Sequence, residues 1–178
     1  TWRAANSILV EPSIAVSGVG GCYFTADYDN SAAGVLTFSQ TSNITVVSSS
    51  VANIEMTAAD IELDCHLEAL HANVTVQVSN YIGSVVSVGT STNGGLHLSD
   101  AELDRITTTS ALKMGSIQTS HVFVDGATHS DMPRDVFIES RDTVSFVGTP
   151  SSFVTKLSIS AFNDLRVNQP LTVENGEV

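Results

Sequence analysis

Asp60, Glu62 and Asp64 alternate with Ile61 and Leu63, which sets three carboxylates on the outer side of one extended segment, about 7 Å apart. Carboxylates in that pattern hold calcium or, facing a second acid across a groove, carry out general acid and base steps on a glycosidic bond. Such chemistry also calls for a cation to steady developing charge. The seven bases, Arg3, Arg105, Lys113, Arg134, Arg141, Lys156 and Arg166, are spread along the chain without a cluster beside this segment. The plainer reading is a solvated strand face, and no residue is assigned a catalytic role.

Asp27, Asp29 and Asn30 match the first half of a calcium-binding loop, and calcium is the one cofactor that these residues suggest. The twelfth position counted from Asp27 is Phe38, where such a loop needs a bidentate Glu. The alternative is an Asx-type turn. His66 and His71 stand five apart and His97, His121 and His129 are scattered, so no Cys and His spacing fits zinc. Neither a nucleophile elbow nor a phosphate-binding loop is present. Asn43-Ile-Thr and Asn73-Val-Thr are glycosylation sequons, used only in a cell with the matching secretory pathway.

The elements that must position these groups are short strands. In the stretch 53–78 apolar residues recur at every second position: Ile54 and Met56, Ile61 and Leu63, then Val74, Val76 and Val78. This period marks strands with one buried face. The connections hold two to four small or polar residues, too few for a crossover helix and without the Asn-Gly or Asp-Gly pairs of tight hairpins. The strands are therefore expected to turn corners in one sense. Equivalent positions Leu36, Ile54, Val74, Leu96, Leu112, Val136 and Leu157 lie 16 to 24 residues apart by subtraction, around the twenty or so of a solenoid rung. The expected fold is all-β, a right-handed parallel β-helix (β-solenoid) forming a single domain over 1–178 or a segment of a longer array. A sandwich or jelly roll is the alternative that the β-rich composition also fits.

One short helix is expected near 100–106. Ser99 and Glu102 form a capping box, Ala101, Leu103 and Ile106 are its inward candidates, and Glu102 is spaced to meet Arg105. Pro12, Pro133, Pro150 and Pro170 fall between strands, and His129 to Asp135 reads as a loop leaving the coil. On the rung spacing, Cys22 and Cys65 lie about two rungs or 10 Å apart, beyond disulfide reach, while a shifted register would bring them together as a pair.

Composition narrows the function classes. Charged residues make up 15% of the chain, with Ser and Thr taking their place, and the net charge is -12. That charge repels nucleic acid and anionic membrane surfaces, and no run is long enough to span a bilayer. The start at Thr1 suggests a processed product or an excised piece. Met56 to Leu63, Leu67 to Leu70, Val74-Thr75-Val76, and Gly94 through Ile106 resemble the repeat unit of filamentous-haemagglutinin-like surface proteins, large secreted adhesins and exoproteins. The turn from Ala26 to Gly34 is similar to the acidic turn that precedes a rung in them. Cys65-His66 replaces the glycine usual after the acidic strand, and the secretion-domain signature is missing. The resemblance implies a right-handed parallel β-helix and an extracellular, cell-surface location.

Together these readings predict a structural or adhesive building block of a surface fibre, not an enzyme, that contacts more of its own kind end to end and meets surface glycans. A polysaccharide lyase or hydrolase using the outer carboxylates, and a passive glycan-binding module, are the rival classes. The exposed aromatic row of such a module is thinly supplied by Trp2, Tyr23, Tyr28 and Tyr81.

Overall fold

The computed structural model describes residues 1–17, 20–79, 83–90, 92–128 and 135–174, and of 48–51 the backbone path alone. In chain order the elements are β1 (Trp2–Arg3), β2 (Ile8–Val10), β3 (Ile14–Ser17), β4 (Cys22–Thr25), β5 (Val35–Phe38), β6 (Asn43–Ala58), β7 (Asp60–Leu63), β8 (His66–Val78), β9 (Val85–Gly89) and β10 (Leu96–Leu98). There follow α1 (Asp100–Leu103), β11 (Ile106–Thr108), β12 (Ala111–Ser116), β13 (His121–Asp125), β14 (Asp135–Ser140), β15 (Thr143–Phe146), β16 (Ser151–Phe153), β17 (Leu157–Ala161), β18 (Asp164–Val167) and β19 (Leu171–Val173).

The protein is all-β, and its strands pair in parallel. The longest sheet runs β1-β4-β6-β8-β12-β14-β17, with β3 added on β6 and β11 on β8. A second runs β10-β9-β13-β15-β18, a third β2-β5-β7, and β16 pairs with β19. Most consecutive strands enter different sheets, but β3 and β4 both pair with β6, β11 and β12 both pair with β8, and β9 and β10 pair with each other.

Apolar alternates form columns between the sheets. Ile54 stands on Val74, Val74 on Leu112, Leu112 on Val136 and Val136 on Leu157. All five are buried. Burial of such side chains stabilises by about 1.5–3 kcal/mol each relative to exposure. The steps from Ile54 are 20, 38, 24 and 21 residues by subtraction of those numbers. The step of 38 arises because β9, β10, α1 and β11 all intervene between β8 and β12.

Two positions of the expected column belong elsewhere. Leu36 stacks between Ile8 and Ile61 in the three-stranded sheet, and Leu96 stacks on Val86 at the edge of the five-stranded one. Each bears the right residue type, but a corner upstream sends its strand to another face. Val154 to Lys156 lie between β16 and β17, which begins at Leu157.

The bends within β6 and β8 do not end these strands. β6 and β8 continue through them, the register shifting between Val47 and Ala52, and His71 taking a left-handed backbone with φ of 61°. Thr108 donates its hydroxyl to the Ala72 carbonyl at 2.6 Å and the His71 N–H reaches Thr109 Oγ1 at 2.7 Å, so the next corner seats on this one. The expected His129 to Asp135 loop lies outside the described residues except for Asp135, which opens β14.

The helix is shorter than expected. α1 is a single turn, Ile106 already belongs to β11, and Ala101 is exposed. Its capping box is present in full, Ser99 Oγ accepting from the Glu102 N–H and Glu102 Oε2 from the Ser99 N–H. Glu102 does not pair with Arg105 as predicted. Both reach Leu63 instead, whose N–H donates to Glu102 Oε1 at 3.0 Å and whose carbonyl accepts from Arg105 Nη1 at 2.7 Å. Leu63 ends β7, the edge of the three-stranded sheet, so the segment after β10 closes an edge by supplying side-chain partners for its backbone.

Candidate functional site

The acidic strand is spent on architecture. Asp60 Oδ1 accepts from the Ile61 and His97 N–H groups at 2.9 and 3.0 Å, tying β7 to β10. Glu62 accepts from Thr37 Oγ1 on the neighbouring β5, and Asp64 lies 3.9 Å from Arg105. Glu62 and Asp64 are exposed as the alternation predicts, whereas Asp60 is half-buried. They do not converge on a common point, and among the described residues no group of three His, Cys, Asp or Glu is placed to hold a metal ion.

The turn at Asp27 is built the other way round. Asp27 is buried with φ of 62°, and its carboxylate accepts from Ser31 N–H, Ser31 Oγ, Ala32 N–H and Ser79 Oγ at 2.6 to 2.9 Å. Desolvation raises its pKa, but hydrogen bonds from Ser31, Ser79 and Ala32 outweigh it and hold the group at about 2. Asp29 Oδ1 also faces the Ser31 N–H, at 3.3 Å. Gly34 lies against this turn so closely that a Cβ there would stand 2.0 Å from the Asn6 carbonyl oxygen and 2.2 Å from the Asp27 nitrogen. With its oxygens given to N–H and O–H donors, Asp27 orders an Asx-type turn where the calcium-loop reading needs free ligands, and Asn30, also at positive φ, shapes the same turn.

Cys22 and Cys65, the disulfide candidates, are free and buried, and burial pushes both thiols up. Cys22 lies in β4 opposite Ile54, while Cys65 sits between β7 and β8. His97 Nε2 is 3.0 Å from the Gly89 carbonyl and His121 is 3.7 Å from Asp142. The sequon residues open onto strands: Asn43 is exposed at the start of β6, and Asn73 is half-buried within β8, donating to Asn53 Oδ1 at 3.3 Å.

What the linear sequence does not bring together is the outer face of the longest sheet. Tyr23, Glu55, Thr75, Lys113, Phe137 and Ser158 stand in one cross-strand row, each in register with the next. Gln77 donates to Glu55 Oε1 and Thr57 Oγ1, and Lys113 pairs with Glu139. Beside this row the surface dips into a notch of about 510 Å³, bordered by Asn53, Asn73, Thr75, Lys113, Asp135 and Phe137, with Ala111 as its small residue. A second notch follows beyond Lys113 and Phe137, over Ser158 and Ser160.

No family model, curated protein or solved structure matches this chain. The outer face therefore rests on its own geometry. The signal for its first members was present in the correctly paired Ile54 and Val74, whose neighbours on either side, Asn53 with Asn73 and Glu55 with Thr75, must share the opposite face. The expected succession of Leu112 and Val136 likewise sets Lys113 beside Phe137, but the 38-residue step hid that this pair lies directly beside Thr75, because Leu96 was expected between Val74 and Leu112.

Proposed function

We propose that the chain is a β-solenoid segment, a right-handed coil of parallel strands that serves as an extracellular structural or adhesive element and is extended end to end by more of its own kind. One observation carries this reading. Leu165 and Val167 stand in register on Val144 and Phe146, yet the lower pair is 0% and 1% exposed and the upper pair 52% and 51%. The inward columns continue in apolar residues on a strand that no described strand covers. At the opposite end Ile8, Ile14 and Val16 are only partly buried above the fully buried Leu36, Ile44 and Val46.

A parallel edge with an apolar column is a template for another strand, and a contact between unlike ends repeats without closing. The low charge density and the Ser- and Thr-rich surface agree with a secreted element, as does the similarity to filamentous-haemagglutinin-like repeats. Light scattering and electron microscopy of the purified 178-residue chain over a concentration series test the assembly. Association that grows with concentration and disappears in Leu165→Asp with Val167→Asp is the expected result. A parent chain that stays monomeric at every concentration would falsify the end-to-end reading.

A further inference from the structure

We propose that the notch on the outer face of β6, β8, β12 and β14 binds an extended, neutral saccharide chain. Its shape comes from register alone. Ala111 lies in register with Asp135, beside Asn73, so a short side chain is bordered by longer ones and leaves a depression across the strands. Strands about 4.8 Å apart present one side chain each along this line, a regular spacing suited to a repeating, extended ligand.

The chemistry of the border selects the ligand class. Phe137 is half-buried on the outer face, offering part of an apolar ring on which the C–H face of a sugar packs. Around it stand the amides of Asn53 and Asn73, the Thr75 hydroxyl and the Asp135 carboxylate. Asn53 and Asn73 make one hydrogen bond with each other, and primary amides have donor and acceptor capacity beyond it. Hydroxyl groups, which both donate and accept, match that lining.

Charge excludes the acidic alternatives. Among the described residues the one base at the notch, Lys113, is paired with Glu139, Asp135 borders the same space, and the whole chain carries -12. A polyuronate or sulfated chain would meet repulsion, with no unpaired cation among the described residues of the notch to offset it.

The groove and the end-to-end contact involve different residues and fail separately, since substitutions at Phe137 or Ala111 leave the β18 edge intact. Isothermal titration of the full chain with cellohexaose and mannohexaose, and with hexagalacturonate as the anionic comparison, tests the proposal. The expected result is saturable binding of a neutral hexasaccharide and none of hexagalacturonate. Phe137→Ala should weaken binding about tenfold or more, as removal of an aromatic anchor does, and Ala111→Arg should abolish it by filling the notch. Should either variant lose its fold, amide shift changes in the parent chain on adding the neutral hexasaccharide should centre on residues 53, 73, 111 and 137. The proposal is overturned if neither neutral hexasaccharide binds, if hexagalacturonate binds instead, if the folded variants bind like the parent, or if the shifts centre elsewhere.

Discussion

The turn around Asp27 and the strand bearing Asp60 and Glu62, with Asp64 just past its end, carry the same kind of side chain into opposite surroundings. Asp27 is sealed from water and satisfied by four donors from Ser31, Ala32 and Ser79, the last reaching across 52 residues of chain. On and just past the strand, Glu62 and Asp64 face solvent and make one contact each, to Thr37 and to Arg105. Buried, a carboxylate organises the backbone because every unmet donor around it would be costly. Exposed, its pairings trade against water and gain little. Acidic residue type alone therefore tells neither energetic weight nor function.

Replacement of Asp27 by Ala is the severest test of that contrast. It leaves buried donors without an acceptor and should cost about 3 kcal/mol or more, read from chemical denaturation. A loss under about 1 kcal/mol would mean that the turn tolerates water and that the contrast is false. A second test uses pH. Because the folded pKa of Asp27, about 2, lies below the ordinary value of 3.8, its contribution is complete above pH 3.8 and is lost as pH falls through about 2. The stability gap between the parent and Asp27→Asn should therefore narrow across that interval and stay level above it. A gap that keeps growing as the pH falls would show that another group dominates.

Between the two extremes stands Glu102, which caps α1 and accepts from the edge N–H of Leu63. Glu102→Ala should destabilise by about 1–2 kcal/mol and raise hydrogen exchange at Leu63 in particular. The smallest effect belongs to the strand. Glu62→Ala and Asp64→Ala should each change stability by no more than about 0.5 kcal/mol, and a larger loss in either would erase the distinction.

How far the sequence could be read follows the same physics of neighbours. Alternation put Ile54 and Met56, Ile61 and Leu63, and Val74, Val76 and Val78 on the buried faces of β6, β7 and β8, and the pairing of Ile54 with Val74 was legible because the two segments have nearly the same local pattern. The capping box was legible too, since its partners are three residues apart. Leu36 and Leu96 went astray because alternation names the buried side of a strand and is silent on which strand lies above it. The continuity of β6 and β8 escaped for a related reason: polar residues at a bend resemble a break, although the ladder passes through. Of the site candidates, Asp60 and Glu62 were placed on the correct strand, and Asp64 lies one residue past its end. The work each performs depends on His97, Thr37 and Arg105, between 25 and 41 positions away by subtraction of those numbers.

The position of Asn73 also sets an order of events. It lies mid-strand, with β6 paired on one side and β12 on the other, and its side chain borders the notch. β12 emerges from synthesis some forty residues after Asn73, so an enzyme that attaches a sugar to this sequon meets the least crowded Asn73 ahead of the arrival of Ala111 and Lys113 beside it. In a cell with such an enzyme, the pace of translation relative to sheet closure decides whether the notch stays vacant or is filled by the chain's own sugar. Asn43, exposed at the start of its strand, is under no such deadline.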